Sequence, residues 1–93
     1  MNKDDKWMQI ALHEANLAMN ENEIPVGAVL VKNGKLIAKS HNQSIRKNDP
    51  TAHAEIQLIR KAGENQKNYS LIGSTISVTL EPCTMCFGAM VHA

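Results

Sequence analysis

The sequence predicts a small α/β protein with three strands and three helices. Near the N-terminus, apolar residues recur every three or four positions, which is typical of a helix with one buried face. Two later segments are typical of strands: Val26–Val31 is a short, nearly continuous apolar run, and Thr75–Leu80 alternates and is rich in β-branched residues. The chain has 93 residues, which is enough for one domain.

The first predicted element is a helix at about 5–20. Either Asp4 or Asp5 can cap its start. Its apolar stripe, for which core packing is the simplest role, consists of Met8, Leu12, Ala15 and Met19, with Trp7 and Ala11 beside it. Glu21-Asn22-Glu23 is expected to end the helix as a polar loop.

A β-hairpin is predicted next. The continuous apolar run Val26–Val31 indicates a strand covered on both faces. Asn33-Gly34 is a strong hairpin signal, because both turn positions favour positive φ. Leu36–Ser40 is then the returning strand. Gly27 weakens the first strand unless another group must approach its backbone closely.

The rest of the chain predicts a helix, a strand and a helix. Thr51 can cap a helix over 52–62, with Gly63 at its C-terminal end. Thr75–Leu80 is the third strand. Pro82 suits the first turn of a last helix, which runs from Cys83 to residue 93.

The composition limits the classes of function that the chain can have. The formal charge of +1 gives no basic excess of the kind that often marks nucleic-acid binders. No run reaches the roughly 18 apolar residues of a membrane span, and the N-terminus lacks a signal-peptide core. We therefore expect a cytoplasmic protein without a membrane partner. In a reducing compartment, two cysteines three residues apart favour a metal or redox role over a structural disulfide.

Two short motifs carry the chemistry. His53 and Glu55 form an H-x-E pair, and Cys83 and Cys86 follow Pro82 as P-C-x-x-C. The histidine and the cysteines offer three zinc ligands, and the carboxylate need not bind the metal. Three protein ligands with an open fourth position are typical of catalytic zinc, whereas closed four-ligand sites are usually structural.

Both motifs fall at predicted strand-to-helix junctions. Helix N-termini lower thiol pKa values and favour the thiolate that zinc requires. Cys83 and Cys86, at i and i+3, share one helix face. Two strand–helix units of one sheet would present both helix starts at the same edge. Zinc lowers the pKa of water toward about 7, and Glu55 could move the proton.

Blander interpretations stand beside this one. Alone, C-x-x-C could be a redox pair, a structural zinc knuckle or two buried thiols. His41 or His92 could be a fourth ligand. Asn42 could serve turn chemistry or present its amide to a substrate. The remaining polar candidates are expected on the surface: His13 on the first helix, Arg46 and Lys47 in a solvated loop, and Glu81 beside Pro82.

The motifs identify a resemblance. H-x-E with P-C-x-x-C resembles the signature of the zinc-dependent cytidine/deoxycytidylate deaminase superfamily. Within it, Pro25-Val26-Gly27 and Thr79-Leu80-Glu81-Pro82 are most similar to the bacterial tRNA-specific adenosine deaminases. The resemblance implies a three-layer α/β/α cytidine-deaminase-like fold. Residues 1–93 would be the N-terminal portion of a single domain of that type, truncated to about three strands and three helices.

The resemblance also implies roles. His53, Cys83 and Cys86 would bind Zn²⁺. Glu55 would be the catalytic proton carrier. Asn42 and the backbone of Ala54 would contact the substrate. The implied reaction converts adenosine to inosine at the anticodon wobble position of tRNA, in a homodimer that binds the RNA loop near the subunit interface.

Three hypotheses follow. The chain is part of a tRNA adenosine deaminase, a free-base or nucleoside deaminase acting on guanine or cytosine, or an inactive zinc-binding fragment. Members of the family continue with two further strands and C-terminal helices, so the third strand is expected to expose an unpaired edge. Phe87 stands where the family commonly has a small residue.

Overall fold

The computed structural model describes residues 3–80 and 82–93, so the prediction for Glu81 lies outside the described residues. The predicted three helices and three strands are confirmed in number and order. In chain order they are α1 (Lys3–Asn20), β1 (Gly27–Lys32), β2 (Lys35–His41), α2 (Ala54–Gln66), β3 (Thr75–Val78) and α3 (Thr84–His92). No helix in the described ranges is long and apolar enough to cross a membrane.

The sheet has the order β2-β1-β3, with β1 antiparallel to both neighbours. β2 and β3 therefore run parallel to each other on either side of β1. Their carboxyl ends lie at the same end of the sheet, and each is followed by a helix. As expected, β3 lies at an edge of the described sheet.

β1 is the central strand, and its two faces pack against different helices. Ala28 and Leu30 belong to the core cluster that contains Leu58 of α2. Val29 and Val31 belong to the cluster that contains Ala11 of α1. Helix, sheet and helix thus form three layers, which is why β1 is apolar along nearly its whole length instead of alternating.

Gly27 is the point of closest approach between α1 and the sheet. A Cβ there would collide with the carbonyl oxygen of Ala11 and would lie 2.6 Å from the backbone nitrogen of Ala15. The absence of a side chain lets the helix backbone rest directly on the strand. The expectation that another group closely approaches this glycine is confirmed.

This close packing corrects the predicted face of α1. Leu12 and Met19 are 50% and 55% exposed, whereas Ala11, Ala15 and Ala18 are buried. Larger side chains at the contact would hold the helix away from β1. The small residues therefore face the sheet, and the two long apolar side chains face outward.

The hairpin forms as predicted. Lys32 pairs with Lys35, and Asn33 and Gly34 between them have φ of 54° and 74°. Two positive φ values are those of a type I′ turn, whose twist matches that of the flanking strands. The register shifts between Leu30 and Val31, which marks an irregularity in the ladder.

Several predicted boundaries are wrong. α1 begins at Lys3, so Asp4 and Asp5 lie inside the helix; the side chain of Asp4 lies outside the described part of the chain. Gly63 lies inside α2, whose C-cap is Lys67 in the left-handed conformation. β3 ends at Val78 rather than at residue 80.

The starts of α2 and α3 also differ from the prediction. His53, not Thr51, is the N-cap of α2. The Thr51 N–H and hydroxyl both donate to Asp49 Oδ1, at 2.9 and 2.7 Å, so this hydroxyl serves the preceding turn. Pro82 lies before the N-cap of α3, which is Cys83.

Candidate metal centre and adjoining cleft

The first two predicted ligands occupy equivalent positions on two helices. His53 is the N-cap of α2, and Cys83 is the N-cap of α3. Neither side chain makes a capping hydrogen bond. Both remain available to another partner, and the two helix starts converge because β2 and β3 are parallel.

The distances fit one metal ion. His53 Nδ1 lies 3.7 Å from Cys83 Sγ and 3.5 Å from Cys86 Sγ. All three ligand atoms lie within 4.8 Å of one another. Zinc bonds of about 2.0–2.1 Å to nitrogen and 2.3 Å to sulfur, at tetrahedral angles, separate a nitrogen from a sulfur ligand by about 3.6 Å. The chain's nitrogen–sulfur distances therefore match a shared zinc ion.

Among the described residues, neither His41 nor His92 supplies a fourth ligand. The metal-ligating cluster there consists of His53, Cys83 and Cys86. His41 is occupied elsewhere: its Nδ1 lies 3.1 Å from Glu14 Oε1, and its Nε2 lies 2.9 Å from Glu21 Oε1. His92 lies in the last turn of α3, outside this cluster. The donor set is that of a three-ligand site with an open position.

The two thiols differ in their surroundings when no metal is bound. Burial raises the pKa of Cys86 to about 12, and the nearby Cys83 and the charge of Glu55 add to the rise. The nearby backbone N–H of Cys86 lowers the pKa of the exposed Cys83 thiol. The Cys83 side chain nevertheless makes no capping hydrogen bond to α3. Cys83 is thus the readier thiolate, and a bound cation would stabilise the thiolate form of Cys86.

A cleft of about 160 Å³ adjoins the ligands. Its walls come from the segment before β1, the end of β2 and both helix starts, and they comprise Ile24, Val26, Asn42, His53, Ala54, Glu55, Leu80 and Cys83. Glu55 is only 4% exposed. A buried carboxylate beside three metal ligands, in a largely apolar cleft, is an arrangement suited to proton transfer.

Asn42 serves turn chemistry and also lines the cleft. Its Oδ1 accepts hydrogen bonds from the Ser44 N–H and hydroxyl, at 3.0 and 2.9 Å, which is turn chemistry. It also lines the cleft and is 5% exposed. Because Oδ1 faces the Ser44 N–H, the other amide atom must be the donor Nδ2. Nδ2 is therefore the part of this amide that is left for another hydrogen-bond partner.

Three hydrogen bonds attach the start of α2 to the end of β2 and the residues just after it. The Ser40 hydroxyl donates to the Ala54 carbonyl oxygen at 2.5 Å. The Gln43 N–H donates to the Ala52 carbonyl oxygen at 2.9 Å. Gln57 Nε2 donates to Gln43 Oε1 at 3.1 Å. These contacts fix the segment that carries the H-x-E pair.

The start of α3 is aligned by β3. Beyond the last ladder pair, the Gly27 N–H donates to the Thr79 hydroxyl at 3.1 Å, and the Thr79 N–H donates to the Gly27 carbonyl oxygen at 3.0 Å. This extends the contact with β1 toward Leu80 and the cysteines. Three other residues are exposed as expected: His13 on α1, and Arg46 and Lys47 in their loop. Phe87 is exposed on α3.

Glu23 is a buried residue that the sequence did not reveal. Expected in a polar loop, it is only 6% exposed, and its carboxylate binds two backbone N–H groups of the loop after Asn42. The available signal was the placement of an acidic residue just before the apolar run that begins at Ile24. Its partner segment, about twenty residues later, has no pattern that would have revealed the contact.

The chain belongs to the family defined by the cytidine and deoxycytidylate deaminase zinc-binding region, whose model matches residues 1–93. Its sheet, its helix-borne ligands and its carboxylate agree with that membership. The zinc named by the family fits the chain's own donor set of one imidazole and two thiols.

Within the family, the chain is similar to tRNA-specific adenosine deaminases. It is 49% identical to that of Buchnera aphidicola subsp. Schizaphis graminum, over 99% of the chain and 61% of the relative. It is 52% identical to that of Haemophilus influenzae, over 97% of the chain and 53% of the relative. The chain thus spans roughly half to three-fifths of the length of these relatives.

Solved structures show the same fold. A structure from studies of A-to-I editing by tRNA:A34 deaminases superposes with a TM-score of 0.93 at 47% identity, covering 96% of this chain and 68% of that one. Guanine deaminase from Bacillus subtilis superposes with a TM-score of 0.91 at 39% identity, covering 98% and 58%. The predicted cytidine-deaminase-like α/β fold is confirmed.

Proposed function

We propose that this chain carries the catalytic centre of a zinc-dependent hydrolase that deaminates adenosine to inosine at the wobble position of a tRNA anticodon. The observation that carries the proposal is the convergence of His53, Cys83 and Cys86 beside the buried Glu55. The substrate is supported by the 44–52% identity to tRNA-specific adenosine deaminases of several bacteria.

In this proposal, His53 Nδ1 and the two cysteine sulfurs hold zinc. Bound zinc supplies Lewis acidity, which makes water a nucleophile near neutral pH. Glu55 moves two protons in turn. The first passes from the attacking water to the purine ring, where inosine retains it, and the second passes from the newly bound hydroxyl group to the leaving amine. The balanced reaction consumes adenosine and water and releases inosine and ammonia.

The cleft walls hold the base. Asn42 Nδ2 donates to an acceptor atom of the substrate, and the backbone of Ala54 lies against it. Val26 and Leu80 supply apolar contacts and exclude water. Exclusion of water strengthens the electrostatic effect of Glu55 and of the metal ligands.

The same likeness supports three further proposals. Residues 1–93 form the N-terminal portion of a single domain of this type. The protein works in the cytoplasm, where tRNA is modified. It binds the anticodon loop as a homodimer, which sedimentation of the zinc-loaded chain would detect as a mass of twice the monomer.

A second candidate is a deaminase of free bases or nucleosides. It is favoured by the superposition on guanine deaminase, whose TM-score is nearly as high. The identity of 39% to that structure is lower than the 47% to the tRNA:A34 deaminase. The third candidate is an inactive zinc-binding fragment. It is favoured by the greater length of the relatives, of which the chain covers 61% and 53%.

One experiment separates the three. The zinc-loaded chain is incubated with an anticodon stem-loop bearing adenosine at the wobble position and, separately, with guanine and cytosine. The proposal expects inosine in the digested RNA. Ammonia from a free base without inosine supports the second candidate, and a folded, zinc-loaded chain inactive on every substrate supports the third.

Glu55→Gln is the matched control. It removes the proton carrier, keeps the side-chain shape and leaves all three ligands in place. We expect it to retain zinc and to lose inosine formation, by about 10²-fold or more. Retention of full activity by this variant would contradict the role given to Glu55.

A further inference from the structure

The buried carboxylate of Glu23 is bonded to the backbone of the loop that follows β2. Its Oε1 accepts from the Ile45 N–H at 3.0 Å, and its Oε2 accepts from the Arg46 N–H at 2.8 Å. Both oxygens are thus engaged by successive backbone donors. Charge-assisted hydrogen bonds of this kind are stronger than those between neutral groups. Glu23 therefore fixes the backbone of the loop at residues 45 and 46.

The loop in turn fixes Asn42. Ser44 immediately precedes the two anchored residues, and its N–H and hydroxyl both donate to Asn42 Oδ1. The Asn42 N–H donates to the Val26 carbonyl oxygen at 3.1 Å. Backbone and side-chain oxygen are both held, and only the Nδ2 group of this amide has no partner among the described residues.

We propose that Glu23 is a positioning residue for the cleft. Through the backbone of Ile45 and Arg46 and then through Ser44, it holds the Asn42 amide with its N–H donors available to the substrate. The cleft is thereby set to recognise an acceptor atom at this position. The kinetic part of this inference rests on the proposed deaminase function, whereas the structural part does not.

Glu21 is a natural comparison for Glu23. Its Oε2 accepts from Arg46 Nη1 at 2.8 Å, and its Oε1 lies 2.9 Å from His41 Nε2. It therefore contacts side chains and makes no hydrogen bond to the described backbone of residues 44–46. Removing its charge alters the surroundings of Arg46 but leaves the connection to Asn42 intact.

The structural test uses Glu23→Gln with Glu21→Gln as its control, in the zinc-loaded chain. A glutamine at position 23 can offer one oxygen, and its NH₂ group faces a backbone donor. We expect hydrogen exchange at Ile45 or Arg46 to accelerate at least tenfold and the Asn42 side-chain NH₂ signal to shift in ¹⁵N spectra. Glu21→Gln should leave both unchanged. Wild-type exchange and an unshifted Asn42 signal in Glu23→Gln would overturn the proposal.

Ser44→Ala gives an independent test if Glu23→Gln does not fold. It removes one of the two donors to Asn42 Oδ1 and leaves the Glu23 contacts in place. The proposal expects a shifted Asn42 NH₂ signal with unchanged exchange at Ile45 and Arg46. An unshifted signal in this variant also overturns it.

The kinetic test is a double-mutant cycle with Asn42→Ala on the anticodon stem-loop. Each single variant should raise KM, by about 2- to 12-fold for one lost hydrogen bond. In the Asn42→Ala background, Glu23→Gln should add less than about twofold, because its effect passes through that amide. Effects that multiply fully would refute the relay. If the chain forms no inosine, the proposed function has failed, and the two structural tests still decide this inference.

Discussion

Gly27 provides the sharpest test of the packing between α1 and the sheet. In Gly27→Ala, the new Cβ would collide with the Ala11 carbonyl oxygen and lie 2.6 Å from Ala15 N and 2.9 Å from Glu14 Cβ. Two of these atoms are backbone, so no rotamer change relieves the contact. The whole of α1 must then move away from β1, and this movement disrupts the packing of Ala11 against Val29 and Val31.

The magnitude follows from overpacking. Inserting a carbon into a well-packed core costs about 1–3 kcal/mol, and a backbone clash belongs at or above the upper end. A chain of this length has a free energy of unfolding of about 5–14 kcal/mol. A loss of about 3 kcal/mol is therefore a large fraction of the total, and it lowers Tm by about 12–24 °C.

Gly88 supplies the matched control. It lies inside α3, and a Cβ there would meet nothing within 4 Å. Gly88→Ala should stabilise the chain by about 0.5–1 kcal/mol, because alanine loses less backbone entropy in a helix. The same chemical change thus has opposite predicted signs at two sites.

The assay is thermal and urea unfolding followed by far-UV circular dichroism, on zinc-loaded protein of defined oligomeric state. The urea slope checks that each variant unfolds from a comparable native state. A Gly27→Ala variant whose free energy of unfolding lies within about 1 kcal/mol of the wild-type value would refute the close contact between α1 and β1, because even mild overpacking costs that much.

Three further predictions concern the metal, pH and the core. His53→Ala should abolish the zinc retained through gel filtration, whereas His92→Ala should retain it, as measured by elemental analysis. A hydrogen bond from His41 holds the pKa of Glu21 below its ordinary value of 4.5. The ionised Glu21 therefore stabilises the fold fully above pH 4.5, and this stabilisation disappears as the pH falls through the lower pKa of the folded state. Glu21→Gln should therefore flatten the acid limb of the stability profile, and an unchanged limb would contradict this assignment. Leu58→Ala, at a fully buried site, should cost about 2–5 kcal/mol, while Leu12→Ala, at a half-exposed site, should cost well under half of that in the same urea titration.

The candidate metal centre was easier to predict from the sequence than the packing was. H-x-E and P-C-x-x-C are local patterns at strand-to-helix junctions, and topology alone brings such junctions to one end of a sheet. Asn33-Gly34 similarly determines its turn from two residues. These predictions succeeded because each depends on short-range geometry or on a general rule of sheet connection.

The failures have a common physical origin in contacts between distant segments. The face of α1 could not be read from its own periodicity, because Gly27 on another element decides which residues fit against the sheet. The N-cap of α2 was wrongly assigned to Thr51, because the Thr51 hydroxyl bonds to Asp49 and not to the helix. Glu23 was missed because its two donors are backbone groups, which leave no mark in the sequence.

A metal ion bound by these ligands would cross-link distant parts of the chain. His53 and Cys83 are 30 residues apart in the chain, and a covalent bridge closing a loop of that length would remove conformational entropy worth about 3–4 kcal/mol from the unfolded chain. Cys86 is the buried residue of α3, and this helix packs against α2. A shared ion would therefore join the start of α3 to the start of α2, and chelation would remove that connection.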